Sequence, residues 1–563
     1  MKALRAVGLY ALLTVILTWP LALRLRIMDP GDSAFFAWEI AWEIHALKTD
    51  PASLPHANIY HPARYALFMD EPVLGTMPLA LPFSFLTDDA VLLFSLARLL
   101  TFVVSALTAY LLARELGCGE AAALFAGAAF AFSPIRTDQI AHLSTLGSQW
   151  LPLVLLFLVR FAKSGAFRHS LAAGLSFVLA AYACGYHGLI GFLVLPVAAL
   201  PLVWGRWRRL IPAGVAAGCV GICLLPLYFM HREAMDPHGF VRADAEAVFY
   251  SASVESFLAT TSWNRVYGEL TTPFRTFSNN LFPGLVVPGL VAFAAVRLWR
   301  ERRRPSREAV ALGLLAFAAV VVALGPEVRF FGNRLAPAPM GFIRDAVPVF
   351  QKIRVSSRAG IYLALALAVL AALALRRFEK RPAVAAGLGA LFLAEGCVAP
   401  IPQAAWADVI DTRRPIPPVY AWLAAQPEDL VIAELPMLES DGLFQRPAYD
   451  ESIYMVWSTW HWKRLVNGYA GVEPATYRRV REAAWRFPSE AALDALSEVG
   501  TRYVVAHRGG FGPNQWARIE RDLPAFATRL REVARFDGDT VFEIVAGAAN
   551  APNDPQMQPN RAP

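Results

Sequence analysis

Long apolar runs separated by short charged connections fill the first 400 residues. Runs near 5–23, 90–113, 119–134, 146–162, 169–186, 188–204, 210–230, 281–299, 309–325, 359–375 and 383–400 predict eleven helices that cross ~30 Å of hydrocarbon. Val73–Leu86 is apolar for about 14 residues but holds Pro78 and Pro82, so it reads as re-entrant or interfacial. Lys2 and Arg5, Arg160 to Arg168, Arg206 to Arg209, Arg297 to Arg307 and Arg376 to Arg381 fall on one side when connections alternate, which makes that side cytoplasmic. Arg24 and Arg26 run against this order. The run "LYALLTVILTW" is followed by "PLALRLR" with no small-x-small cleavage site, so it reads as an uncleaved anchor. The amino terminus is therefore expected inside, and residues 24–89, 135–145, 231–280, 326–358 and everything after 400 outside.

Past residue 400 the period changes. "PPVYAWLAAQPEDLVIAELPM" predicts a short helix and then a buried strand at Leu430–Leu435. "TYRRVREAAWRF" and "SEAALDALSEVG" have helical apolar spacing, with Gly500 as a stop before the strand "TRYVVAH". "REVARFDGDTVFEIV" predicts two strands around Asp537-Gly538. This alternation predicts a small α/β domain over 401–546 with a mostly parallel sheet. The tail 547–563, rich in Pro, Asn and Ala, is expected to be disordered.

Composition agrees with the pattern. The 563 residues are 56% apolar and only 17% charged, with a mean hydropathy of +0.41, which excludes a soluble, disordered or collagenous chain. The net charge of +7 suggests nucleic acid until it is divided. Residues 1–400 carry 35 Lys and Arg against 24 Asp and Glu, and residues 401–563 carry 17 against 21. The basic excess belongs to the loops of the membrane part, so no nucleic-acid partner is implied. None of the five cysteines lies after 400, which argues against a disulfide scaffold. The fold class is a polytopic α-helical membrane protein with a small carboxy-terminal extracytoplasmic α/β domain.

Candidate chemistry concentrates in the outer segments. In "MDPGDSAFFAWEIAWEIHAL", Asp29, Asp32, Glu39 and Glu43 lie within fifteen residues. A helix from Ser33 to Leu47 would put Phe35, Trp38 and Trp42 on one side, suited to the headgroup region, with Asp32 as its cap. Asp138 and His142 form an i, i+4 pair, which with Asp70 or Glu71 makes a divalent metal a candidate cofactor, although D-x-x-x-H alone more often marks a local hydrogen-bonded pair. His187, His231 and His238 read as loop histidines. In "STWHWKRLVNGYAGVEP", the residues Trp457, Trp460, His461, Trp462, Asn467 and Tyr469 could stack on and hydrogen-bond a sugar, or form a buried aromatic core.

A long outer loop directly after the first span, opening on an acidic residue and a membrane-parallel helix, resembles the GT-C superfamily of polytopic glycosyltransferases. "FAFSPIRTDQIAHLSTLGSQWLPLVLL" and "LGPEVRFFGNRLAPAPMGFIRDAVPVFQKIRVSSRAG" resemble regions of bacterial GT-C-like and YfhO-like membrane proteins. The resemblance implies a GT-C-like domain over 1–400. It implies a polyprenyl-phosphate-linked sugar donor, a glycan, lipid or protein acceptor, and a carboxylate base in the first outer loop, with membrane lipids around it at the outer face of a bacterial inner membrane. The family's acidic pair is not adjacent at Asp32, which precedes Ser33; the nearest Asp-Glu pair is Asp70-Glu71. Asp32 is thus the leading base, with Asp70, Glu71 and Asp138 behind it, and His142 beside them as a substrate ligand. An acceptor hydroxyl must lose a proton as the anionic phosphate departs, so a base and fixed cations are both needed. Arg354 and Arg358, one turn apart in "QKIRVSSRAG", are candidate phosphate clamps, with interfacial anchoring as the other role open to them. No nucleotide-sugar loop is present. A lipid or glycan transporter would need polar groups at the bilayer midplane, where Arg98 and Glu395 are the main candidates. A non-catalytic assembly partner is the third reading.

Overall fold

The computed structural model describes residues 2–235, 244–276, 279–402, 409–437 and 447–545. The tail expected to be disordered, and His238, lie outside these residues. Two compact units result, one of residues 1–54 and 70–413, the other of residues 55–69 and 414–563.

The first unit is helical. Each apolar run folds as a helix: α1 (Lys2–Leu17), then, after the loop helix α2 (Asp32–Thr49), α3 (Ala90–Glu115), α4 (Glu120–Ala131), α5 (Leu151–Ser164), α6 (Phe167–Ala183), α7 (Gly185–Val203), α8 (Leu210–Met235), α9 (Val286–Arg300), α10 (Arg307–Ala323), α11 (Gly360–Leu375) and α12 (Pro382–Glu395). Five continuous stretches are long and apolar enough to cross a membrane: Ala90–Glu115, Leu143–Ser164, Gly185–Val203, Trp207–Met235 and Ser356–Phe378. The others fall short of ~30 Å at 1.5 Å per residue, α4 being 12 residues long. Helices α3 and α4 pack together, and α10 packs on α7 and α11.

Two sequence expectations change in residues 24–89, the segment after the first apolar run. Gly31 takes φ 93 and is the helix cap, and Asp32 is the first helical residue rather than the cap. Phe35, Trp38 and Trp42 are buried at 4%, 0% and 6% exposure, so α2 is not an interfacial helix. It is enclosed by protein, with Glu39 and Glu43 buried along with the aromatic residues, so one-sided aromatic spacing does not reveal its environment. The ambiguous run Val73–Leu86 folds as short 3₁₀ turns at Met77–Leu79 and Phe83–Phe85. Gly75 lies so close to α6 that an added Cβ would sit 2.1 Å from the Leu179 carbonyl. Its own carbonyl accepts from Trp150 Nε1 at 2.7 Å.

The two charges noted inside apolar runs have structural surroundings. Glu395 accepts from the Leu285 and Val286 backbone amides at 2.9 and 3.0 Å, closing the start of α9. Arg98 lies over the Phe94 ring at 4.8 Å.

The second unit holds β1 (Val431–Leu435), β2 (Arg464–Leu465), β3 (Tyr503–His507), β4 (Leu530–Arg535) and β5 (Asp539–Ile544) in the order β2-β1-β3-β5-β4. The β1 pairings with β2 and β3 are parallel, and the two involving β5 are antiparallel, so the sheet is mixed rather than mostly parallel. The hairpin β4–β5 turns at Gly538, which takes φ 89. Residues 55–69 belong here and not with the rest of segment 24–89: the Leu465 amide donates to Asn58 O at 2.7 Å and the Tyr60 amide to Asn467 O at 3.0 Å.

Candidate active site

The helix α2, the segment ending in Asp70-Glu71, the loop after α4 and the turn before α11 bring most of the first unit's candidate residues together. Asp32 Oδ2 lies 2.9 Å from His142 Nε2, both side chains over a third exposed. His142 therefore pairs with Asp32 and not with Asp138, its i−4 neighbour. The reason is local: Pro134–Thr137 is one short helical turn that ends before His142, so helical spacing does not persist. Asp138 instead accepts from Asn280 Nδ2 at 3.2 Å and Gln139 Nε2 at 3.3 Å. Burial pushes Asp138 up to about 6 against those hydrogen bonds and the neighbouring His142.

Asp70 and Glu71 form the centre. The Glu71 amide donates to Asp70 Oδ1 at 2.7 Å. Glu71 Oε1 accepts from Arg358 Nη1 at 2.8 Å, and its Oε2 from Cys184 Sγ at 3.0 Å. Arg358 also lies over the Tyr186 ring at 4.3 Å. Arg354 meets Glu246 at 3.2 Å and the Tyr250 ring at 5.0 Å, while its Nε is buried with no hydrogen-bond partner among the described residues. Asp70 is held above the usual carboxylate range by burial and then by Glu71; Arg354 opposes this and Asp32 adds to it, so Asp70 lies within electrostatic reach of both.

Two features here carry no obvious sequence signal, Arg136 and the Cys184–Tyr186 pair, and a third, Glu39 with Glu43, shows in the sequence as an acidic cluster but not as buried. Arg136 is fully buried and donates to Ser148 Oγ, Ala131 O, Ser105 Oγ and Leu146 O at 2.7–2.9 Å, fixing the loop that carries Asp138 and His142. Cys184 and Tyr186, at the start of α7, hold the Glu71–Arg358 pair. Glu39 and Glu43 are fully buried one turn apart. Burial, then the charge of Glu43, Asp70 and Glu71, raises the Glu39 carboxyl well above the usual carboxylate range.

The metal reading has no ligand set to support it. Among the described residues no group of three or more His, Cys, Asp or Glu is arranged to hold an ion, because His142 turns to Asp32 and Asp138 to Asn280.

In the second unit the aromatic-rich segment is mostly internal. Asn467 is fully buried, accepts from the Glu434 amide at 2.7 Å and donates to Glu434 O and Glu451 Oε2 at 2.9 Å. His461 Nδ1 accepts from the Lys463 amide at 3.0 Å, and burial lowers the ring to about 3. Trp460 packs against Trp457 at 5.2 Å, and the Tyr469 amide donates to Met455 Sδ at 3.2 Å. These contacts bind β1, β2 and their neighbours together.

Residues 58–394 match a family described as a domain of unknown function, DUF6311. The chain belongs to the DUF6311 family. Comparison with curated proteins gives no significant match. Among solved structures this DUF6311 chain is similar to the arabinofuranosyltransferase AftD from Mycobacteria, with TM-score 0.54 and 15% identity, over 97% of this chain and 40% of AftD. It is also similar to ArnT from Cupriavidus metallidurans (TM-score 0.49, 14% identity, 96% and 98% of the two chains) and to the oligosaccharyltransferase AglB from Archaeoglobus fulgidus (0.48, 14%, 98% and 75%). The likeness to AftD shows a shared fold, and this chain spans 40% of AftD's length. Within the DUF6311 match lie Asp70, Glu71, Asp138, His142, Arg354 and Arg358; Asp32 precedes it.

Proposed function

We propose that the chain is a GT-C-type glycosyltransferase that moves a sugar from a polyprenyl-phosphate-linked donor to a glycan, lipid or protein acceptor at the outer face of a bacterial inner membrane. In this reading all eleven apolar helices cross the bilayer, residues 401–546 form an extracytoplasmic domain, and the amino terminus is cytoplasmic. One observation carries the activity: a half-exposed Asp32–His142 pair and two arginines converge on the same Asp70-Glu71 turn.

The chemistry assigns the parts. Asp32 accepts the acceptor hydroxyl's proton, and His142 orients its carboxylate. The bond from the sugar's anomeric carbon to the phosphate oxygen breaks as the acceptor oxygen attacks, leaving the polyprenyl phosphate with the bonding pair. Arg358 has five N–H donors and Glu71 engages one of its terminal nitrogens, so other donors remain for the leaving phosphate. Arg354 adds its unpartnered Nε. Fixed cations in a site screened from water stabilise that charge more than water would.

The experiment compares wild-type and Asp32→Asn protein, purified, with polyprenyl-phosphate sugars as donors and undecaprenyl phosphate as the binding probe. Asn keeps the shape and loses the base, so turnover should fall by roughly 10²–10⁴ with probe binding intact. Transfer at the wild-type rate would remove Asp32 from the mechanism.

A further inference from the structure

Segment 326–358 holds more than Arg354 and Arg358. It opens with a hairpin, Glu327–Phe330 against Asn333–Pro337, closed at its base by the Ala338 amide donating to Pro326 O at 2.9 Å. Phe330 pairs with Asn333, so Phe331 and Gly332 alone make the turn, at φ 44 and φ 79. Positive φ at both places is the pattern of a type I′ turn, whose first place ordinarily goes to Asn, Asp or Gly. A bulky side chain there crowds its own backbone, so Phe331 is strained.

Burial does not offset that strain. Phe331 is 50% exposed, beside Phe330 at 43% and Leu335 at 62%. The two rings meet edge to face at 4.7 Å, and Phe274 lies 6.2 Å from Phe331. The hairpin itself is held firmly: the Phe331 amide donates to buried Glu255 at 2.9 Å, Arg329 Nη2 to Gly332 O at 2.7 Å, and Arg334 pairs with Glu327 at 3.2 Å. The tip is therefore a fixed apolar point between two arginines.

Neighbouring elements set its level. In the topology proposed above, α10 reaches the outer surface at Ala323, four residues before the hairpin begins. Helix α8 reaches the same surface at Met235, with Tyr228 and Phe229 half exposed near that end, the placement of an aromatic belt. Lys352, in the same segment as the hairpin, lies 5.9 Å from the Tyr228 ring. At ~3.3 Å per residue the four-residue strand Glu327–Phe330 spans about 13 Å, enough to cross a headgroup layer of roughly 5–8 Å.

We propose that this tip enters the outer leaflet of the surrounding membrane, with Phe330, Phe331 and Leu335 at the boundary between headgroups and acyl chains and Arg329 and Arg334 against phospholipid phosphates. Aromatic rings favour that boundary, and the guanidinium fork matches a phosphate. Lipid contact offsets the strain at Phe331, which nothing within the chain does. The contact needs the topology proposed above and not the transfer chemistry.

The test places the full chain in nanodiscs of phosphatidylethanolamine and phosphatidylglycerol, with benzoylphenylalanine in place of Leu335, or of Phe330 if that protein does not fold. Lipid adducts formed on irradiation are read by mass spectrometry. The same group in place of Phe293, 41% exposed on α9, reports a lipid-facing span. The hairpin position should give adducts at a yield similar to the span. Adding Phe331→Asn should lower the hairpin yield about fivefold without lowering the melting midpoint, because Asn accepts positive φ but does not insert. Adducts at position 293 and none on the hairpin would overturn the contact and leave the topology standing; none at either position would overturn both. A product of twice the chain mass in place of lipid adducts would put a second copy on the tip and also overturn the contact. A lower midpoint for Phe331→Asn with an unchanged hairpin yield would mean that the ring serves only packing within the chain.

Discussion

His142 in the first unit and His507 in the second each lie within 2.9 Å of a carboxylate, yet their surroundings differ in access. His142 meets Asp32 through Nε2 with both side chains over a third exposed, and its Nδ1 is buried without a hydrogen-bond partner among the described residues. His507 uses both nitrogens, Nε2 to Glu434 and Nδ1 to Asp539, each at 2.8 Å. Tyr454 stacks on its ring at 5.1 Å, and Tyr420 donates to the same Glu434 oxygen at 2.7 Å. Glu434 is fully buried. Both clusters keep an atom without a partner among the described residues, His142 Nδ1 in the first and Glu434 Oε1 in the second, but the first has access to solvent whereas the second joins β1, β3 and β5 and has little. Carboxylate and imidazole together do not mark a site; access to them does.

The largest effect that would break this contrast is on turnover. Asp32→Asn should cut transfer by roughly 10²–10⁴ with a melting midpoint close to wild type, because the pair is half exposed and contributes little to stability. His507→Gln should do the reverse. It leaves buried Glu434 without its cation, a loss of about 3–5 kcal/mol, measured as a lower denaturation midpoint. A fall in turnover with unchanged stability for His507→Gln would move the catalytic centre.

Titration sharpens the same point. Burial alone would lower His507, but its hydrogen bonds to Asp539 and Glu434 raise it to about 9. A raised histidine stabilises the fold fully below its unfolded value near 6.5, and that stability is lost as pH rises through about 9. Melting midpoints should therefore fall between pH 7 and 10 in the wild type, and the His507→Gln protein should lack that slope. The facing groups are Glu434 on β1, Asp539 on β5 and Tyr420 and Tyr454 on the preceding helices; no cation competes among these partners.

A smaller change is expected at the arginines. Arg358→Lys keeps the charge but loses the planar fork and the stacking on Tyr186, and undecaprenyl phosphate should bind about tenfold more weakly. Unchanged binding would leave Arg358 as the partner of Glu71 alone.

The sequence pattern located the apolar helices well, since twenty-odd consecutive apolar residues admit few other structures. The GT-C resemblance points to Asp32, Asp70 and Glu71, helical spacing from Asp138 points to His142, and a place one turn apart beside an apolar run points to Arg354 and Arg358. The pattern could not show that α2 is enclosed, since Trp38 suits a headgroup region and a protein interior equally. Pairing was also hidden. Asp138 and His142 have helical spacing on a chain that leaves the helix after one turn, and Arg136 looks like any loop arginine until the bonds of its three nitrogens are traced. The segment 55–69 reads as loop because only the second unit supplies its strand-like partners, some 400 residues away in sequence.

The smallest effect concerns Asp138, where the contrast between access and closure is least marked. Burial raises this carboxyl to about 6 although Asn280 and Gln139 donate to it. Folding therefore retains a proton that the unfolded chain releases near pH 4, and stability falls as pH rises across about 4 to 6. Asp138→Asn keeps an oxygen for the Asn280 amide and removes the cost of a buried charge. The variant should be more stable than wild type at pH 7.5 by about 1 kcal/mol, the partial exposure reducing the full value. Its midpoint should be flat between pH 4 and 6 where the wild type declines. A destabilised variant would mean that the ionised carboxylate is needed where it stands, and would place Asp138 beside Asp32 among the groups that act on the acceptor.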